Sequence, residues 1–296
     1  MKCYSLESIR SFPPETVTHL SMHKRHLRSV PAPIRDLVNL VELDLSGNDL
    51  EDLPDWLAEL PALKRLLLRD NNFRHFPGIL ANMPALEMLD FSGNACSKLP
   101  ADSGVSRLSV LIFDKNSLRT FPETEGESVA LRRLSLAGNC LKTMPDTLAR
   151  YRHLSDLSLA ENRLKTIPDA LFNLPNLEIL DLSGNRIAQI ADRADAWPAL
   201  TNLSLARNKI AHLPDSFRAC KALRKLSLSG NQFSDFPVVL ASLAGLRQLD
   251  FSGNKLRTWP AQTDQFPPLE TLFLAQNKIA DIPPNPAGWH TLRQLS

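Results

Sequence analysis

The chain has 296 residues, 43% of them hydrophobic, with 34 basic and 32 acidic side chains and a formal net charge of +2. So near a balance excludes the global field that draws a protein onto nucleic acid or an anionic membrane, and no apolar run approaches the roughly 20 residues that span a bilayer. Residues 1–16 lack the basic-then-apolar layout of a secretory signal; Tyr4, Leu6, Ile9 and Phe12 are instead spaced to cover whatever follows as a short amphipathic N-terminal cap.

From residue 17 onward a period takes over. Asparagine stands at Asn48, Asn71, Asn94, Asn116, Asn139, Asn162, Asn185, Asn208, Asn231, Asn254 and Asn277, a spacing of 23 residues that slips once, by one. Each lies in the frame LxxLxLxxNxL, as in Leu131, Leu134, Leu136, Asn139 and Leu141. One such unit cannot bury its own apolar face, so the units must stack. Counting the first Leu as position 1, units open at Val17, Leu40, Leu63, Leu86, Leu108, Leu131, Leu154, Leu177, Leu200, Leu223, Leu246 and Leu269, with a fragment at Leu292. Positions 4 and 6 are apolar and alternate with outward residues, the period of a strand with one buried face. Position 9 is Asn because the chain turns there, and its amide can satisfy backbone groups stranded inside the stack. Position 15 is often Pro followed by an acid, as at Pro54 and Asp55 or Pro168 and Asp169. Proline pre-sets φ and the acid favours a helix N-terminus, so short helical or 3-10 turns are expected, with Leu148 and Leu171 returning to the core.

Segments 101–107 and 123–130 lack the usual core Leu and contain Gly104 and Gly126. Near the C-terminus Pro283, Pro284 and Pro286 break any helix, Trp289 fills a core position, and the last fragment stops mid-strand. That end is expected to be uncapped, open to end-to-end association or continued in a longer protein.

The 23-residue Leu-Pro-x-x-Leu unit resembles the intracellular leucine-rich repeats of Ras-pathway scaffold proteins and the repeat domains of bacterial type III effectors. It departs from plant receptor ectodomains, whose Gly-x-Ile-Pro signature is absent. The resemblance implies an α/β solenoid: a right-handed horseshoe over residues 17–296, with a parallel concave sheet that binds another macromolecule. Extracellular members usually carry disulfide caps. Here Cys3, Cys96, Cys140 and Cys220 are scattered, so the resemblance implies a reducing compartment: a cytoplasm, or a host cytoplasm if the chain is a delivered effector.

Function must reside where the units differ. Leu67, Met88, Val110 and Ile112 are large apolar residues at outward positions of three consecutive strands, surrounded by Arg65, Arg69 and Asp114 and flanked by Arg133. An apolar cluster with a charged rim has the composition of a binding hot spot, so a protein ligand on the concave face is the leading expectation. Position 10 supplies a basic stripe of Arg163, Arg186, Lys209, Lys255 and Lys278, suited to a polyanion, with an acidic row at position 16 set against it. Glu42 beside Arg65 and Arg133 beside Asp156 look like register support. No chemistry emerges. Of the local group His19, His23 and His26, the first two share a strand face but stand too far apart to ligate one metal; the position-5 aspartates never fall on adjacent units, and no phosphate-binding glycine motif is present. No enzyme activity, metal, cofactor or nucleic-acid partner is expected. The alternative is a substrate-recruiting N-terminal domain of an effector enzyme, a ligase or other transferase, whose catalytic domain lies outside this chain.

Overall fold

A computed structural model describes residues 2–3, 13–123, 130–258, 268–280 and 292–295. Contacts divide the chain into two compact units, Met1–Leu141 and Lys142–Ser296. In the first, the described strands are β1 (Lys2–Cys3), β2 (His19–Ser21), β3 (Glu42–Asp44), β4 (Arg65–Leu67), β5 (Met88–Asp90), β6 (Val110–Ile112) and β7 (Arg133–Ser135). Each pairs in parallel with the next. In the second they are β8 (Asp156–Ser158), β9 (Ile179–Asp181), β10 (Asn202–Ser204), β11 (Lys225–Ser227), β12 (Gln248–Asp250), β13 (Thr271–Phe273) and β14 (Gln294–Leu295). Their pairing is again parallel and in chain order. Positions 3 to 5 form each full strand, so equivalent positions stand side by side and each unit is a leucine-rich repeat solenoid.

The alternation dictates the core. Leu43, Leu66, Leu89, Leu111 and Leu134 are buried at position 4, as are Leu157, Leu180, Leu203, Leu226 and Leu249 in the second unit. Position 6 adds a row of Phe91 and Phe113, their rings stacked with centroids 5.1 Å apart.

The asparagine ladder forms as expected. Asn71 Oδ1 accepts the Leu50 N–H at 3.1 Å, and its Nδ2 donates to Leu45 O and Leu68 O, both at 3.0 Å. Each amide therefore ties its own turn to the preceding repeat. Position 8, just before it, has positive φ in every copy, Lys24, Asp70, Lys115, Glu161, Arg207 and Gln276 included. The other copies are glycine, which reaches this region without steric cost.

The wall opposite the sheet is built of 3-10 turns, Asp55–Glu59 and Asp169–Asn173 among them, three to five residues long. Proline stands one residue before the turn rather than inside it: Pro54 is extended (ψ 145°) and its carbonyl accepts the Leu57 N–H at 3.0 Å, while Asp55 opens the turn. Leu148 and Leu171 are fully buried. In the irregular segment 101–107, Gly104 is left-handed (φ 74°), the buried Ser103 stands where other repeats place the core Leu, and Val105 is buried two residues on.

Of the expected N-terminal cap, only Lys2, Cys3 and residues 13–16 are described. Lys2–Cys3 pairs with His19 and Leu20, with Cys3 buried, whereas Tyr4, Leu6, Ile9 and Phe12 lie outside the described residues, as do most of 123–130 and Pro283 to Trp289.

Candidate functional site

The outer sheet face of the first unit carries the proposed hot spot. Strand register sets Arg65, Met88, Val110 and Arg133 in one row and Leu67, Asp90, Ile112 and Ser135 in the next. Met88 and Val110 are thus direct neighbours, while Asp90 separates Leu67 from Ile112, a residue the sequence reading left out of the cluster. The four apolar side chains are half-buried. Glu42 and Arg65 face each other in register and pair at 3.1 Å, and Arg69 pairs with Asp70 at 3.0 Å. Asp114 is partly engaged: its Oδ1 accepts Ser135 Oγ at 2.6 Å and the Ala137 N–H at 2.8 Å.

The position-5 aspartates have a local reason to exist. Asp44, Asp90, Asp181 and Asp250 each accept, through Oδ1, the N–H of the serine two residues on, at 2.9–3.0 Å. This Asx-type bond holds the turn before the ladder. The sequence shows it plainly, since each of the four begins Asp-x-Ser-Gly-Asn.

In the second unit Arg163, Arg186, Lys209, Lys255 and Lys278 are all exposed at equivalent positions, and none forms an ion pair among the described residues. Three of the acids expected to offset them are engaged elsewhere. Asp169 pairs with Arg193 at 3.5 Å and Asp215 with Arg218 at 3.3 Å. Asp192 accepts the Ser216 N–H at 2.8 Å, and that backbone bond, helped by the Ser216 hydroxyl, holds its carboxyl below the usual carboxylate range.

The same unit contains a feature the sequence reading did not single out. A trough of about 340 Å³ crosses the outer face of β9 to β13, lined by Ile179, Asp181, Ser204, Lys225, Asp250 and Phe273 among others. Ile179 is one of few large apolar side chains left exposed, at 39%. The signal lay in the position-5 row: Ser204 and Ser227 are small, and taller side chains stand on either side.

Among the described residues no group of three or more His, Cys, Asp or Glu could hold a metal. No described helix is long and apolar enough to cross a membrane. His19 bonds locally with Thr18 Oγ1 at 2.9 Å, and His23 lies beyond the end of β2. The four cysteines are free. Burial raises the Cys96 thiol, and burial with help from Asp195 pushes Cys220 up to about 11.

Among solved structures, a leucine-rich repeat protein of Leptospira interrogans matches with a TM-score of 0.93 at 28% identity, over 100% of this chain and 76% of that one. An internalin of Listeria monocytogenes shares the fold, with a TM-score of 0.80 at 24% identity over 95% of this chain and 81% of its own. A chain of the Toll–Spatzle complex of Drosophila matches at 0.75 and 26% identity, over 90% of this chain and 38% of that one. No curated protein sequence matches significantly. The leucine rich repeat profile matches residues 38–95, 129–187 and 198–256. With more than half of its length matched and the asparagine ladder in place, the chain belongs to the leucine-rich repeat family.

Proposed function

We propose that this chain is a non-catalytic recognition module that binds a partner protein on the outer sheet face of its first unit. The observation that carries this reading is the register of Met88 beside Val110, with Leu67 and Ile112 on the diagonals and Arg65, Arg69, Asp114 and Arg133 around them. Half-buried side chains on a strand are already partly fixed, so a partner covering them adds apolar burial at a reduced cost in rotamer entropy. A charged rim of both signs then sets orientation and excludes wrong partners. A relative at 26% identity has been solved within a protein complex, which supports a protein-binding role for the fold. The free, largely buried thiols fit a reducing cytoplasm. The test is capture of a partner from cell lysate, its identification, and titration of that partner against wild type and a Leu67→Asp/Ile112→Asp variant with an intact circular dichroism spectrum. The expected result is a loss of affinity of about 100-fold, in keeping with a desolvated hot spot; equal affinity contradicts the reading.

A second reading rests on the five cations of the second unit that form no ion pair among the described residues: an acidic partner bound along that edge. Charge reversal at Arg163, Arg186 and Lys209 is expected to abolish such binding, and its affinity to fall steeply between low and physiological salt. Salt-independent affinity contradicts it.

A further inference from the structure

We infer that the trough on the second unit is a separate docking site for an extended segment of a partner protein carrying two arginines four residues apart. This goes beyond the site proposed for the first unit and shares no residue with it.

Both ends of the trough have the same composition. At one end Asp250 and Phe273 are register partners on β12 and β13. At the other, Ile179 and Asp181 are two residues apart on β9 and share its outer face. Each end therefore offers an apolar surface beside a carboxylate. That suits arginine, whose guanidinium stacks on an aromatic face or lays its stem on an aliphatic one while donating to a carboxylate. The carboxylates retain capacity. Asp181 uses Oδ1 for its own turn, and Oδ2 has no donor among the described residues. Asp250 uses Oδ1 in the same way, and its Oδ2 has only the Ser227 hydroxyl, at 3.5 Å.

Spacing selects the segment. Asp181 and Asp250 are three strands apart along one row, roughly 14 Å at about 4.8 Å per strand. A peptide running across the strands in extended form advances about 3.4 Å per residue, so side chains at i and i+4 share a face about 13.6 Å apart. The intervening residue on that face, i+2, falls between β10 and β11. There it meets the Ser204 hydroxyl, which has no partner among the described residues, and Lys225, which forms no ion pair among them. A hydroxyl and an ammonium favour an acid at i+2. The fitted sequence is therefore Arg-x-Glu-x-Arg.

The test is fluorescence anisotropy of the whole chain with a fluorescein-labelled Arg-Ala-Glu-Ala-Arg amide, alongside the scrambled Arg-Arg-Ala-Glu-Ala amide of identical charge. The spaced peptide is expected to saturate the chain and to bind at least about tenfold tighter than the scrambled one. Asp181→Asn and Asp250→Asn each keep a side-chain oxygen for the turn N–H while removing the charge, and each is expected to weaken the spaced peptide about tenfold. Replacing both peptide arginines by neutral citrulline is expected to abolish saturable binding. Equal affinity for the two peptides, indifference to either Asn variant, or no saturable binding at millimolar concentration overturns the proposal. The comparison between peptides uses wild type alone and so stands even if a variant fails to fold.

Discussion

The asparagines show how little of this chain is free to vary. Asn208 Oδ1 accepts the Ile187 N–H at 3.0 Å, and its Nδ2 donates to Leu182 O at 2.9 Å and Leu205 O at 3.1 Å, so one side chain joins two repeats at a buried turn. Removing it strands one donor and leaves two carbonyls short of a partner. Asn208→Ala is expected to lower unfolding stability by about 1–3 kcal/mol, read from urea titration of the whole chain; an unchanged midpoint contradicts the ladder's energetic role. The position-5 aspartates follow the same logic, each accepting through Oδ1 the N–H of a part-buried turn. That dual position matters at Asp181 and Asp250, where one carboxylate oxygen serves the fold and the other faces the trough. A residue can thus be structural by its first oxygen and functional by its second.

Among elements, the strands are uniform and the opposing wall is not. Leu, Tyr, Trp and Cys occupy one and the same position at Leu174, Tyr151, Trp197 and Cys220, all buried within a few percent. Short 3-10 turns tolerate this because each contributes at most three side chains to the core, and neighbours adjust. Trp197 is the most committed of them. Its ring stacks on Phe172 at 4.7 Å, its indole N–H donates to Leu171 O at 2.8 Å, and Arg193 lies over the outer Phe172 ring at 5.1 Å. Trp197→Phe is expected to keep the stack but lose the bond and leave a small void, at a cost of about 1–3 kcal/mol. Calorimetric melting of the variant checks this, and a shift within error of zero contradicts it.

For the molecule as a whole, repetition made the fold legible: the parallel stack of strands, the ladder and the buried leucines follow from the 23-residue period. The sites were less legible for a physical reason. Outward residues obey no period, and their meaning depends on row and register: Asp90 between Leu67 and Ile112 cannot be weighed until β5 is aligned with its neighbours. The trough was hidden because it consists of what is small, Ser204 and Ser227, rather than of what is large. The acidic row looked able to cancel the basic stripe on charge alone; geometry shows Asp169 and Asp215 held by Arg193 and Arg218 instead.

The left-handed turn residue sets how this chain can be shortened. Arg207 and Glu161 join across the intervening Gly184, 46 residues apart in sequence, and a Cβ at Gly184 would lie 2.7 Å from the Glu161 Cδ. Across all copies a long side chain at this place is never followed by another in the next repeat. A deletion must therefore spare any glycine rung that lies between two long ones, and a doublet cut that begins after Gly184 does so. Excising 185–230 joins Gly184 directly to Asn231 and leaves that rule intact, whereas excising 162–184 sets Glu161 and Arg207 on adjacent rungs. The doublet deletion is expected to give the higher melting temperature despite discarding twice as much chain, and the reverse order would show that crowding on this edge is harmless.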